Sequence, residues 1–486
     1  MKKIEITSIA DDDSDDGLFI DDLQFKSEIN RMEFGDSRLS GRLNCFIFSK
    51  LANPNGSIPE IFKSSNAEIQ AAYRILDNDK VSPEKILAPH FEATLKRISQ
   101  FPVMLMIDDL SYFDYTKKGV ADELGMIGNR NAYGLVTSPL LAVTPDRHCM
   151  GLADWKTWCR DPKLEPSSKR WFKQEIEEKE TFHWLKRYRQ VCGWQKELPN
   201  TQLIYIADRG SDIIDIYKEA ENRKNAGESV ASYVIRCAYD RLIPEEITDE
   251  GEIINKIQAK LDNVEPLGDT EITVSTAPGR SARTAKLDIS AINTPISSSK
   301  KKGSPVANLT VVRVCEKDTT PENEEPIEWT LLTNISVLTY EEALQIVNHY
   351  LCRWQIELYF KVLKSGCGVE KLYLQTKQRL ENCLAIYAIV AWRLLYLTQV
   401  ARNAPDLPCT VVFSDSEWKA TYRIMNKKKP LPSEPISLKT MILLVGNLGG
   451  FIPRKGCEFP GIKSIWKGMQ KVYDYADAYD VFVLGK

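Results

Sequence analysis

FPVMLMIDDL, residues 101–110, places five consecutive apolar residues, Val103 to Ile107, behind a proline and ahead of two carboxylates, Asp108 and Asp109. An apolar run of strand length bounded by a breaker predicts a buried strand, and the acids mark the end at which it leaves the core. TQLIYIADRGSD (201–212) repeats that design, ending in Asp208 and leading into the helical IIDIYKEAENRKN. AYGLVTSPLLAVT (132–144), SYVIRCA (232–238) and IEWTLLTN (327–334) read as further strands. Strands alternating with helical segments predict an α/β sheet.

On either side of this sheet the texture changes. Residues 1–28 form an acidic tail with nine acids and three bases, and residues 29–100 show helical periodicity in EFGDSRLSGRL and AEIQAAYRILDNDKVSPEKIL. The sheet occupies 101–240. TEITVSTA, AKLDISAI and NLTVVRV predict an all-β insertion over 241–326, whose loops carry Arg280, Arg283, Lys286 and Lys300 to Lys302. The sheet resumes over 327–400 with a long helix from about Tyr340 to Lys364, and 401–486 is helical and partly apolar.

A chain of 486 residues with 43% hydrophobic and 27% charged residues builds a sizeable core and is not mainly disordered. Its most nearly uncharged apolar stretch, Cys383 to Trp392, stops at Arg393, short of the roughly 20 residues a bilayer span needs, so no membrane helix is expected. The acidic start does not resemble a secretory signal, which predicts a protein that stays in the cytoplasm. Eleven cysteines without a C-x-x-C pair read as reduced thiols, and four scattered histidines leave little for a zinc site. The net charge of −3 argues at first sight against nucleic acid. The tail alone carries −6, however, and Tyr350 to Arg379 holds six bases against two acids. Screening over roughly 8–10 Å makes such local charge decisive.

Acids are frequent, so position must select among them. Asp108 and Asp109 both end one strand, Asp208 ends another and Glu357 lies on a helix after the sheet; in open α/β sheets, strand ends are where a rigid core aims functional groups. Three converging carboxylates repel one another unless cations join them, which points to Mg²⁺. Two such ions about 3.5–4 Å apart can activate a water or a 3′-hydroxyl and stabilise the leaving oxygen of a phosphodiester. In YLCRWQIELYFKVLK, Tyr350, Arg353, Glu357 and Lys364 fall within about 60° of arc on a regular helix. A carboxylate flanked by phenol, guanidinium and ammonium groups suits a site gripping a phosphate backbone, although a solvated face with Arg–Glu pairs has the same spacing.

The spacing Y-x2-R-x3-E-x6-K resembles the YREK motif of the IS-four family of DDE transposases. The likeness extends in order through EFGDSRLSGRL, AAYRILDN, the strand ending in Asp109, IADRGSDI, the β insertion, IEWTLLTN and GNLGGFIPRKG. It implies an RNase H-like mixed sheet with an all-β insertion, flanked by an N-terminal helical DNA-binding domain and a C-terminal helical domain. Asp109, Asp208 and Glu357 would be both catalytic and metal-binding, holding two Mg²⁺ ions, with Mn²⁺ able to substitute. By the same resemblance Trp329 would stack on a flipped base, Arg236, Tyr350 and Arg353 would bind the adjoining phosphate, and Lys364 would hold the backbone nearer the metals. Asp36 would cap a helix presenting Arg38 and Arg42 to one DNA strand, with Tyr73 and Arg74 as further contacts.

The expected activity is cut-and-paste transposition: binding of terminal inverted repeats, cleavage through a hairpin, and joining of 3′ ends to target DNA. The expected partners are double-stranded DNA and a second copy of the chain, the C-terminal helices being candidates for pairing, with no membrane; the protein would be cytoplasmic and nucleoid-associated. A metal-dependent nuclease without strand transfer and a catalytically silent DNA-binding inhibitor of transposition are the alternatives.

Overall fold

The computed structural model describes residues 20–63, 65–128, 132–160, 175–247, 251–274, 283–297, 305–317, 320–454 and 458–485. Most of the acidic tail, together with Arg280 and Lys300 to Lys302, lies outside the described residues. Contacts divide the chain into two units, residues 34–399 and residues 1–33 with 400–486.

Helix α1 (Asp22–Asn30) belongs to the terminal unit. The larger unit begins with α2 (Ser37–Ala52), α3 (Ile58–Ile61), α4 (Asn66–Leu76) and α5 (Pro83–Ile98). Asp36 starts α2 by accepting the Arg38 amide at 2.9 Å, satisfying one of the free N–H groups of the first turn. There follow β1 (Val103–Asp108), β2 (Ser111–Asp114), β3 (Gly125–Ile127), β4 (Ala132–Val143), β5 (Cys149–Trp158), α6 (Phe182–Glu197), β6 (Gln202–Ala207), α7 (Ile214–Asn225) and β7 (Ser232–Arg236). At the centre the strands run β5-β4-β1-β6-β7, with β4 antiparallel to its neighbours and β1, β6 and β7 mutually parallel. The sheet is mixed, as the resemblance implies. Met104 to Ile107 are wholly buried, as a central strand covered on both faces requires.

The insertion holds β8 (Leu242–Ile247), β9 (Ile253–Lys256), α8 (Ile257–Asp262), β10 (Gly268–Val274), β11 (Arg283–Ser297) and β12 (Pro305–Glu316), and β13 (Glu328–Thr333) closes it. It is therefore not all β: α8 buries Ile257 and Leu261 at its heart. Nor is it a separate sheet, because β12 pairs with β13 and β13 with β7, extending the central sheet. Arg283 and Lys286, expected in loops, lie in β11, where Glu316 and Glu324 hold the Arg283 guanidinium.

The expected continuous helix from Tyr340 to Lys364 is instead α9 (Tyr340–Leu351), α10 (Trp354–Lys361) and one π-turn over Val362–Gly366. Thr339 and Glu342 cap α9 reciprocally. At Cys352 and Arg353 the chain tightens to i→i+3 bonds, Arg353 N to Tyr350 O at 2.9 Å and Ile356 N to Arg353 O at 3.1 Å. Tightening at one point and widening at the next alters the rotation per residue, so a stripe computed for a regular helix does not carry through to Lys364.

His349 on α9 is buried, its Nδ1 lacks a partner, and burial lowers its pKa to about 4. A folded pKa below the unfolded value of about 6.5 contributes stability that is complete above pH 6.5 and lost as pH falls toward 4, about 3 kcal/mol in all. The loss of unfolding free energy between pH 6.5 and 4 should therefore be smaller in His349→Gln than in the wild type. An unchanged pH slope in urea titrations of the variant would contradict the assignment.

Helix α11 (Lys377–Asn403) has the length and apolar composition to cross a membrane, against the expectation that Arg393 interrupts the run. Its apolar window is 94% buried within the protein, and Arg393 is itself only 3% exposed. The helix is a core element, apolar all round because it is covered all round. Trp392 Nε1 donates to the Cys149 carbonyl at 3.0 Å, and Asn382 Nδ2 donates to the Leu76 and Val81 carbonyls at 2.9 and 3.2 Å.

In the terminal unit, α12 (Asp415–Met425), α13 (Leu438–Leu448) and α14 (Ile462–Phe482) pack around Trp418, Met441, Val445, Trp466, Met469 and Val472. A Cβ at Gly468 would lie 1.9 Å from the Val445 carbonyl oxygen, so only glycine allows α13 and α14 to approach this closely. The apolar stripe of α14 is thus used inside the unit. Val481 to Leu484 beyond it stay exposed.

Candidate active site

Asp108 and Asp109 end one strand yet meet opposite surroundings. Asp108 is fully buried: Ser138 Oγ donates to it at 2.8 Å, Tyr205 Oη at 3.0 Å, and Arg187 Nε lies 3.5 Å away. Arg187 also pairs with Asp154 on β5, joining α6 to the sheet through one guanidinium. Asp109, one residue on, turns to the sheet end, where its Oδ1 accepts the Leu110 amide at 2.8 Å.

The parallel register sets Ile107 against Ile206, so the next residues bring Asp109 and Asp208 to the same end of adjacent strands. Asp208 caps a short 3₁₀ turn over Arg209–Ser211, its Oδ1 accepting the Gly210 amide at 2.8 Å. A Cβ on Gly210 would meet that oxygen at 3.1 Å and the Trp184 ring at 3.3 Å, so a larger residue would press on the carboxylate.

Glu357 arrives from α10, and Arg353 joins it to Asp109. Nη1 of Arg353 donates to Asp109 Oδ2 at 2.8 Å and Nη2 to Glu357 Oε1 at 2.6 Å. Burial first, and the facing Asp208 second, push Asp109 up to about 7 against the pull of the Arg353 guanidinium. The three acids are expected to hold two Mg²⁺ ions between them; among the described residues no three His, Cys, Asp or Glu side chains are already gathered closely enough to hold a metal. The reason is that a guanidinium occupies the space between Asp109 and Glu357, neutralising charges that would otherwise repel. The donor set nonetheless suits a hard cation. All three candidates are carboxylates, Asp109 and Glu357 already share one positive group, and Asp208 and Glu357 each keep an oxygen without a hydrogen bond among the described residues.

The expected DNA-contacting residues divide into two places. Trp329 on β13 stands 6.0 Å from the Tyr350 ring, Arg353 Cζ lies 6.0 Å from the centroid of that same ring, and Arg236 also interacts with the phenol. Trp329 and Arg236 line a cleft of about 590 Å³ with Arg209, Tyr239 and Gln258. Lys364, on the π-turn that follows α10, donates from its Nζ to the Tyr112 carbonyl on β2 at 2.8 Å. On α2, the Arg38 guanidinium folds back onto Asp36 at 3.0 Å, so Arg38 and Arg42 do not present a matched pair, while Arg42 and Arg74 are exposed. Tyr73 is half-buried beneath the Arg379 guanidinium, 5.8 Å from its ring. Arg209 was not among the sequence-selected residues, although its place directly after Asp208 in ADRGSD was a usable signal.

Residues 23–81 match the transposase DNA-binding family, 194–393 the transposase DDE domain, and 389–481 the Tn5 transposase dimerisation domain. The DDE match contains Asp208 and Glu357. Among solved structures, the chain is similar to a piggyBac transposase synaptic complex with hairpin DNA determined by cryo-EM. The identity is 8% and the TM-score 0.36, over 88% of this chain and 78% of that one.

Proposed function

Because this chain is a DDE transposase of the Tn5-like kind, with DNA-binding, DDE and dimerisation regions in that order, we propose that it excises and reinserts a DNA element. It would bind terminal inverted repeats, nick them with water, form and open a hairpin, and join the 3′ ends to target DNA. A dimer would bring two ends together, each active site working on one of them, in the cytoplasm on nucleoid DNA. What supports this reading is the sharing of the Arg353 guanidinium by Asp109 and Glu357, with Asp208 close enough to raise the Asp109 pKa, at one end of the sheet.

The DDE domain implies dependence on a divalent metal. Asp109, Asp208 and Glu357 would hold it, two Mg²⁺ ions in this reading, and when bound it supplies charge neutralisation for the attacking and leaving oxygens. The protein's own groups do the rest. Arg353, released from the carboxylates, is placed to take a phosphate beside Tyr350. Trp329 offers a π face at the cleft wall to a base leaving the stack.

Incubating purified protein with terminal-repeat DNA, a supercoiled target and Mg²⁺ tests the reading: excised ends joined to the target are the expected products. Cleavage without joining would leave the nuclease, and binding without cleavage in either Mg²⁺ or Mn²⁺ the silent inhibitor. Trp329→Ala should slow hairpin formation by roughly ten- to a hundredfold, the worth of one base–aromatic stack, with little effect on the first nick. Equal slowing of both steps would assign the tryptophan to packing.

A further inference from the structure

The cations expected to hold the DNA near the carboxylates are largely engaged. Arg353 bridges Asp109 and Glu357, Lys364 donates to the Tyr112 carbonyl, and Arg236 donates to the Glu328 carbonyl at 3.3 Å. Arg209 is different: it is exposed, and its guanidinium has no hydrogen bond or ion pair among the described residues. Its backbone, by contrast, is fixed. Asp208 accepts the Gly210 amide at 2.8 Å, Ser211 Oγ donates to the Asp208 carbonyl at 3.0 Å, and the buried Asp212 is tied to Arg241 Nε at 2.8 Å. A long cationic side chain therefore stands on a rigid turn, one residue from a presumptive metal ligand, and lines the cleft walled by Trp329.

That cleft also contains Asp240, Glu325 and Glu328, so a polyanion entering it meets repulsion that Arg236 alone does not offset. A guanidinium can grip a phosphate through two parallel N–H bonds. We propose that Arg209 binds the DNA phosphate lying between Asp208 and the base held against Trp329, and so sets the position of the scissile linkage. This rests on the transposase reading of the same site. It adds a contact that is made by neither the Tyr350–Arg353 pair nor Lys364.

The test pairs a protein change with a DNA change and reads binding, so it does not depend on catalysis. Terminal-repeat duplexes carrying one methylphosphonate at each linkage around the cleavage point are titrated with wild type, Arg209→Gln and Arg209→Lys, with Ca²⁺ present. At one linkage the neutral phosphonate should weaken wild-type binding about tenfold but Arg209→Gln binding less than threefold, with Arg209→Lys between them. The salt dependence of Arg209→Gln should also be shallower by about one counterion. Equal losses for wild type and Arg209→Gln at every linkage, with binding otherwise intact, overturn the proposal and leave the transposase reading standing. Failure of the wild type to bind terminal-repeat DNA overturns both. Arg209→Lys and the thermal midpoint guard against a folding defect, since a misfolded variant loses affinity for unmodified DNA at every salt concentration.

Discussion

Asp109→Asn should abolish metal-dependent strand cleavage, by a factor of about 10³ or more, while leaving affinity for terminal-repeat DNA within a fewfold of wild type. The substitution keeps the shape and the acceptor for the Leu110 amide but removes the charge that a divalent ion needs. Asp208→Asn and Glu357→Gln should do the same, because each supplies an oxygen that the other two do not replace. Gel shifts and cleavage assays on the same preparations separate the two properties. Retained cutting by any of the three variants would remove that residue from the site. Asp108→Asn makes the informative comparison: Asp108 is fully buried and bonded to Ser138 and Tyr205, so its loss should lower stability before it lowers chemistry.

The second large effect is structural. Arg187 is almost wholly buried, faces Asp108 at 3.5 Å, pairs with Asp154, and donates to the Ser138 carbonyl at 2.9 Å. Arg187→Ala removes the buried cation shared by Asp108 and Asp154 and leaves Asp154 only the exposed Lys156 at 3.5 Å, which should cost about 3–5 kcal/mol, far more than loss of a surface ion pair. Arg187→Met with Asp108→Asn and Asp154→Asn should recover much of that loss, because the penalty comes from uncompensated charge rather than from the missing attraction. Unfolding in urea, with DNA affinity as a second readout, checks both. A single variant within about 1 kcal/mol of wild type would show that water reaches the network and that the three groups are not dry.

Arg187 shows why only part of the sheet is legible in the sequence. β1, β4, β6, β7 and β13 were legible because their apolar runs match the burial of strands covered on both faces. β5 was not, since CMGLADWKTW carries Asp154 and Lys156 inside what is otherwise an apolar segment. Asp154 is held there by Lys156, two residues away at 3.5 Å, and chiefly by the buried Arg187, on a helix 33 residues further on. No local pattern encodes that pairing.

The same holds for the helix after the sheet. Its residue types announced a phosphate-handling face, but the tightening at Arg353 and the π-turn at Val362 are responses to packing, and they decide which groups meet. Arg353 ended among carboxylates, Lys364 on a strand carbonyl, and Arg209 at the cleft with no ion pair among the described residues.

By itself, then, the chain's order of residues determined which strands form the sheet, which acids end them and which chemistry those acids suit, because hydrophobic periodicity and strand-end position are local properties. Tertiary structure alone decided which of two adjacent aspartates faces solvent, where the helix breaks, and which cation is left free for a ligand. Each of those outcomes depends on partners distant in sequence, whose charge and volume act only once the chain has brought them within a few ångströms.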